Sequence, residues 1–201
     1  MLGVIADMLT TPARITSDIR RLCRKIGGLG EPVFVDVAQR TDSEVDDCFM
    51  DVRRQVDEHG GSVQHGWMIW EWPGISAEGV FHAVWRKPDD QLLDVAFKKD
   101  GESRILFAPD TKRVFDQRRI PTIRMAIGRD PRIKQWIEIN ERFDRLVSRQ
   151  MRGVPFGTEV IIEGKAFDLR KQADLLSLAF AESREARRAG GGLIFPSHGT
   201  S

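Results

Sequence analysis

Between Ser62 and Pro109 the chain reads as four apolar runs closed by turn signals, and this block limits the fold more than any other feature. SVQHGWMIWEW (62–72) is one long run, broken by Pro73-Gly74. VFHAVW (80–85) and LLDVAF (92–97) flank the turn-rich link RKPDDQ, and RILFAP (104–109) follows. β-branched and aromatic residues alternating between such breakers form strands. The expected result is a small antiparallel meander. VFVDV, opening at Pro32, adds one more short strand, for four to five in all.

Helices surround the block. PARITSDIRRLCRKI (12–26) places Ile15, Ile19, Leu22 and Ile26 on one face before a glycine-rich stop. CFMDVRRQVDEH (48–59) aligns Phe49, Val52 and Val56, and Gly60-Gly61 ends it. A short helix is expected over 121–128, a long one over 131–151 and another over 168–188, with a short strand or turn at 157–164. Pro131 suits a first helical position. The reading is a single α+β domain over 1–188: a small antiparallel sheet packed against a Cys-bearing helix, with flanking C-terminal helices over 120–188. Residues 189–201 read as a flexible tail.

Composition removes several functions. With 31 Lys+Arg against 30 Asp+Glu, the chain lacks the basic excess of a protein that neutralises phosphates. The Arg-rich faces at Arg20, Arg21, Arg24, Lys25 and at Arg184, Arg187, Arg188 read as solvated helix surfaces, or as contacts for an acidic partner or RNA. No apolar run reaches the roughly 18–20 residues of a membrane span. The start has no basic leader pattern, and two cysteines make no disulfide framework, so a cytoplasmic setting is expected. Cys48, His59, His65 and His82 have no metal-ligand spacing, and the Gly-rich stretches do not link a strand to a helix. Neither a metal nor a cofactor is expected.

What remains is Cys48, His82 and Asp94, in that order. Cys48 opens a helix, where the positive end of the helix dipole favours a thiolate and the carboxylates of Asp46 and Asp47 oppose it. His82 and Asp94 flank a hairpin centred on Pro88, so antiparallel pairing puts them opposite each other, with Cβ atoms roughly 4.5–5.5 Å apart. A carboxylate so placed fixes the tautomer of an imidazole and supports its protonated form. Nucleophile, base and orienter are the parts that acyl transfer requires. Taken singly, each has a plainer reading: a buried thiol, a core histidine, a turn aspartate. His65 and Trp67 share one face of their strand and, with Trp85, are candidates for a substrate-cleft wall; sheet-core packing is the alternative for the tryptophans.

A Cys at a helix start, a His in a strand and an Asp in the next strand resemble the transglutaminase-like branch of the papain-like cysteine-protease superfamily. HAVWRKPDDQLLDVAF carries the matching letters His82, Ala83, Trp85 and Asp94; Val95-Ala96 stands where that branch has Pro-Thr. The wider pattern GWMIWEWP…HAVW…D is also similar to bacterial and phage proteins of unassigned function. The resemblance covers residues 32–110. It implies a Cys48–His82–Asp94 triad in a cysteine hydrolase or acyltransferase acting on a peptide, isopeptide or glutamine amide. It also implies a protein or peptide substrate. The Cys48 backbone N–H, free at a helix start, is the natural oxyanion donor. A second is Gln39, in the role of the upstream Gln of papain-like enzymes, although its spacing here is wider. The competing readings are a non-catalytic protein-binding module on the same fold and a nucleic-acid-binding factor.

Overall fold

Thr16 starts the first helix. Its side chain accepts the Ile19 N–H at 3.3 Å, so α1 runs Ser17–Ile26 and the preceding PAR stays outside it. This computed structural model describes residues 8–27, 30–43, 47–98, 101–152, 154 and 161–190, with side chains to 183. Asp46, residues 157–160 of the expected strand or turn, and residues 191–201 of the expected tail lie outside them. The elements that follow α1 are β1 (Val33–Val37), α2 (Cys48–His59), β2 (Ser62–Trp72), β3 (Ser76–Arg86), β4 (Leu92–Asp94), β5 (Arg104–Pro109), β6 (Ile123–Ala126), α3 (Pro131–Gln150) and α4 (Gly164–Gly190).

The fold is α+β, with four helices among the described residues and a mixed sheet. Its strand order is β2-β5-β1-β4-β3-β6, and β2 also pairs β3 from Ser62↔Arg86 to Trp72↔Ser76. That pairing closes the first five strands into a small barrel. β1 lies between β5 and β4 and runs parallel to β4, so the expected purely antiparallel meander is corrected. β1 arrives from a distant part of the chain, and nothing in its local pattern names its partners. The expected helix over 121–128 is likewise corrected. Ile123–Ala126 is β6, hydrogen-bonded to Ser76–Gly79, because the open edge of β3 offers a full ladder to four residues too few for a stable helix.

One cluster draws on all five barrel strands: Val35, Val84, Ile105 and Phe107, with Val37, Met68 and Leu92 against them. It fills the barrel. Outside, α1 buries Ile19, Leu22 and Ile26 against Trp67, Ile69 and Phe81. Burial of each such side chain contributes about 1.5–3 kcal/mol. α2 lays Val52, Phe49 and Val56 on Ala83 and Trp85. α3 and α4 form a further core around Trp72, Trp136 and Phe180 at the far end of the β2–β3 hairpin. Asp130 caps α3 by accepting the Arg132 N–H, with Pro131 in the first turn. Among the described residues no helix is long and apolar enough to cross a membrane.

Candidate active site

β3 carries His82 two residues before Val84, on the face that fills the barrel. Gly66 of β2 stands directly across from His82. A Cβ at Gly66 would run into the Phe107 ring and the Ala108 carbonyl oxygen, so only glycine lets the strands close around the imidazole. His82 is buried.

Asp94 is the last residue of β4, and its own side chain helps end the strand. Oδ1 accepts the Ala96 N–H at 3.0 Å, an Asx turn that cuts the expected strand 92–97 to Leu92–Asp94. The register, Trp85↔Leu93 and Arg86↔Leu92, is shifted from the one centred on Pro88. The cause is the turn, where Lys87 N–H reaches the Gln91 carbonyl at 2.8 Å and Asp90 takes a φ of 68°. Continued one step, that register sets Asp94 across from Val84, which makes His82 a diagonal neighbour. The side chains still meet: His82 Nε2 lies 3.0 Å from Asp94 Oδ2.

Cys48 is the first residue of α2, half-buried and not in a disulfide. Its sulfur is near enough to His82 to help raise the pKa of the imidazole. Since Asp94 holds Nε2, Nδ1 is the nitrogen left for the sulfur. Burial by itself would push the His82 pKa down; Asp94 and Cys48 outweigh it and raise it to about 9. Burial would raise the Asp94 pKa, but His82 and then Lys98 hold it at about 2. The carboxylate of Asp47 is turned toward Arg54, whose Nη2 lies 3.3 Å from it and 2.6 Å from buried Asp51. That guanidinium offsets the negative charge beside Cys48.

Lys98 is a member of this centre that the sequence reading missed. Its Nζ is 2.7 Å from Asp94 Oδ2, the oxygen that also meets His82, and the residue is only 8% exposed. In the sequence it opens Lys-Lys-Asp-Gly, which reads as a surface turn. Gln39 is exposed, in the loop after β1, and its Oε1 accepts the Lys98 N–H at 3.2 Å. Its carbonyl oxygen therefore anchors the loop beyond Asp94.

The candidate cleft residues divide. Trp67 is fully buried against α1 and donates its indole N–H to Asp110 at 3.1 Å, so it is a core residue and no cleft wall. Trp85 is also corrected: it is 8% exposed, and its indole N–H donates to the Gly60 carbonyl at 2.9 Å, latching the end of α2 to β3. His65 stays half-buried beside the site. Its ring is parallel to Phe81 at 5.9 Å and lies 6.1 Å from Phe49, the residue after Cys48. Burial pushes its pKa down, with the charge of Asp110 opposing. Phe49 in turn stacks on Phe115 at 3.7 Å, so an aromatic group adjoins the cysteine. Among the described residues no cluster of His, Cys, Asp and Glu is arranged to hold a metal ion.

No family model, no curated protein and no solved structure matches the chain.

Proposed function

We propose that the protein is a cysteine hydrolase or acyltransferase working through Cys48, His82 and Asp94, on a fold of the papain-like superfamily near its transglutaminase-like branch. The observation that carries the reading is a buried imidazole held by a carboxylate at 3.0 Å, with a helix-borne thiol near enough to act on its charge. With His82 raised to about 9, the ring carries a proton at neutral pH and can give it to a leaving group.

The thiolate attacks the carbonyl carbon of a peptide, isopeptide or glutamine amide. The oxyanion that forms takes a hydrogen bond from the Cys48 backbone N–H at the start of α2. The C–N bond breaks, His82 gives its proton to the departing amine, and a thioester remains. Water or an amine then attacks the thioester and loses its proton to the neutral imidazole. The acid or new amide leaves, and the sulfur is free again. Asp94 holds the ring and supports its charge throughout. Gln39 belongs to the proposal as a second oxyanion donor only through its side-chain N–H, since its oxygen faces Lys98. A protein or peptide substrate and a cytoplasmic setting complete the reading.

The test is site-resolved alkylation by iodoacetamide. Cys23 is the internal control, because it lies on the buried face of α1, where burial first and the Glu31 charge second push its thiol up. At pH 6.5 Cys48 is expected to react at least tenfold faster than Cys23, and its own rate is expected to fall at least tenfold in His82→Gln. Equal, His82-independent rates would remove the enzyme reading and leave a binding module on the same fold.

A further inference from the structure

Two cations meet one carboxylate oxygen at this site. Asp94 Oδ2 lies 3.0 Å from His82 Nε2 and 2.7 Å from Lys98 Nζ, and all three residues are buried. An orienting carboxylate needs one partner, the imidazole. The second, a lysine removed from solvent at a desolvation cost, calls for a reason.

The reason lies in the proton cycle of His82. With the ring protonated, Asp94 has a countercharge beside it. Once the ring gives its proton to a leaving group, a carboxylate relying on His82 alone would be an unpaired charge in a site of low dielectric. The imidazolium would then resist giving the proton up. We propose that Lys98 is the permanent counter-ion of Asp94, a positioning residue that keeps the carboxylate paired when His82 turns neutral and so keeps His82 a usable acid. The inference rests on the reading of Cys48, His82 and Asp94 as one reacting unit.

The surroundings favour this role. The groups that chiefly act on His82 are Asp94 from β4 and Cys48 from α2; those that act on Asp94 are His82 and, from the loop after β4, Lys98. Lys98 is held on both sides, by its ammonium on Asp94 and by its backbone N–H on Gln39 from the β1 exit. Asp94 Oδ1 is occupied by the Ala96 N–H, so the carboxylate has no freedom to turn the shared oxygen away.

The experiment is an NMR titration of the His82 imidazole in the full chain, assigned by its loss in His82→Gln. Lys98→Met and Lys98→Gln remove the charge, the second keeping a hydrogen-bond donor in case the first fails to fold. Both are expected to raise the His82 pKa, by on the order of one pH unit. Lys98→Arg, which keeps the charge, is expected to leave it near the wild-type value. In an Asp94→Asn background the Lys98 substitutions are expected to raise the His82 pKa by less, because only the direct repulsion between ammonium and imidazolium is then removed. A lysine that merely braced Asp94 would give the opposite sign, since a loosened carboxylate lowers the His82 pKa. A fall or no change in both uncharged variants overturns the proposal. Alkylation of the wild-type protein separates the two claims. Slow alkylation of Cys48 would end the enzyme reading whatever Lys98 does; fast alkylation with an unmoved His82 titration ends the Lys98 role alone.

Discussion

At the scale of single residues, charge at the site ties stability to pH with a definite sign. The His82 pKa is raised from 6.5 to about 9 in the folded chain, so its contribution is complete below pH 6.5 and is lost as pH rises through 9. The Asp94 pKa is lowered from 3.8 to about 2, so its contribution is present above pH 3.8 and is lost as pH falls through 2. The stability difference between wild type and His82→Gln, measured by urea unfolding, should therefore shrink from pH 6.5 to 9.5; a flat difference would contradict the assigned pair. Sequence made three of these residues legible because each carries a local signal: Cys48 a helix start, His82 and Asp94 the two sides of one turn. Lys98 carried none. Its side chain is buried only because β4 stops at Asp94 and the loop folds back under it, and that stop depends on a hydrogen bond to Ala96 which no periodicity records.

At the scale of elements, the two strands around the imidazole tolerate little. Gly66→Ala places a methyl group against the Phe107 ring and the Ala108 carbonyl oxygen, and the backbone oxygen cannot step aside. A loss of about 1–3 kcal/mol is expected in urea unfolding. Cys48 alkylation should slow as well, because Gly66 is the direct cross-strand partner of His82. Thr16→Ala, which removes the cap of α1, should cost about 1 kcal/mol and leave Cys48 reactivity unchanged. The contrast separates damage to the site from damage to the fold. α1, α2 and α3 were readable because their apolar faces recur at helical spacing and Gly27, Gly60 and Pro131 mark an end of each. β6 was not: Pro121 and Gly128 bracket too few residues to show a period, and the edge of β3 decides its conformation. The antiparallel meander left out the parallel pairing of β1 with β4 for a related reason. A strand's pattern shows which face is buried but not which neighbour it pairs with.

At the scale of the whole molecule, the helical half is tied to the barrel through a buried ionic link as well as through Trp72. Arg124 of β6 lies 3.0 Å from Glu78 of β3 and 2.6 Å from Asp144 of α3, and all three are nearly or fully buried. Burial pushes the Glu78 pKa up, with Arg124 opposing. Arg124→Met would leave two carboxylates facing a common gap, at a cost of about 3–5 kcal/mol. Thermal unfolding should show a lower Tm, and the deficit should narrow in acid as Glu78 takes up a proton. The division of the site between two supports has its own consequence. The acid–base pair belongs to the barrel wall, while the sulfur belongs to a helix resting on its outside, held by Val52, Phe49 and the Trp85 latch. Warming should therefore start two clocks. A slight slide of α2 would part the thiol from the ring while the strands stay zipped, so the cysteine should lose its heightened reactivity several degrees before tryptophan fluorescence reports melting.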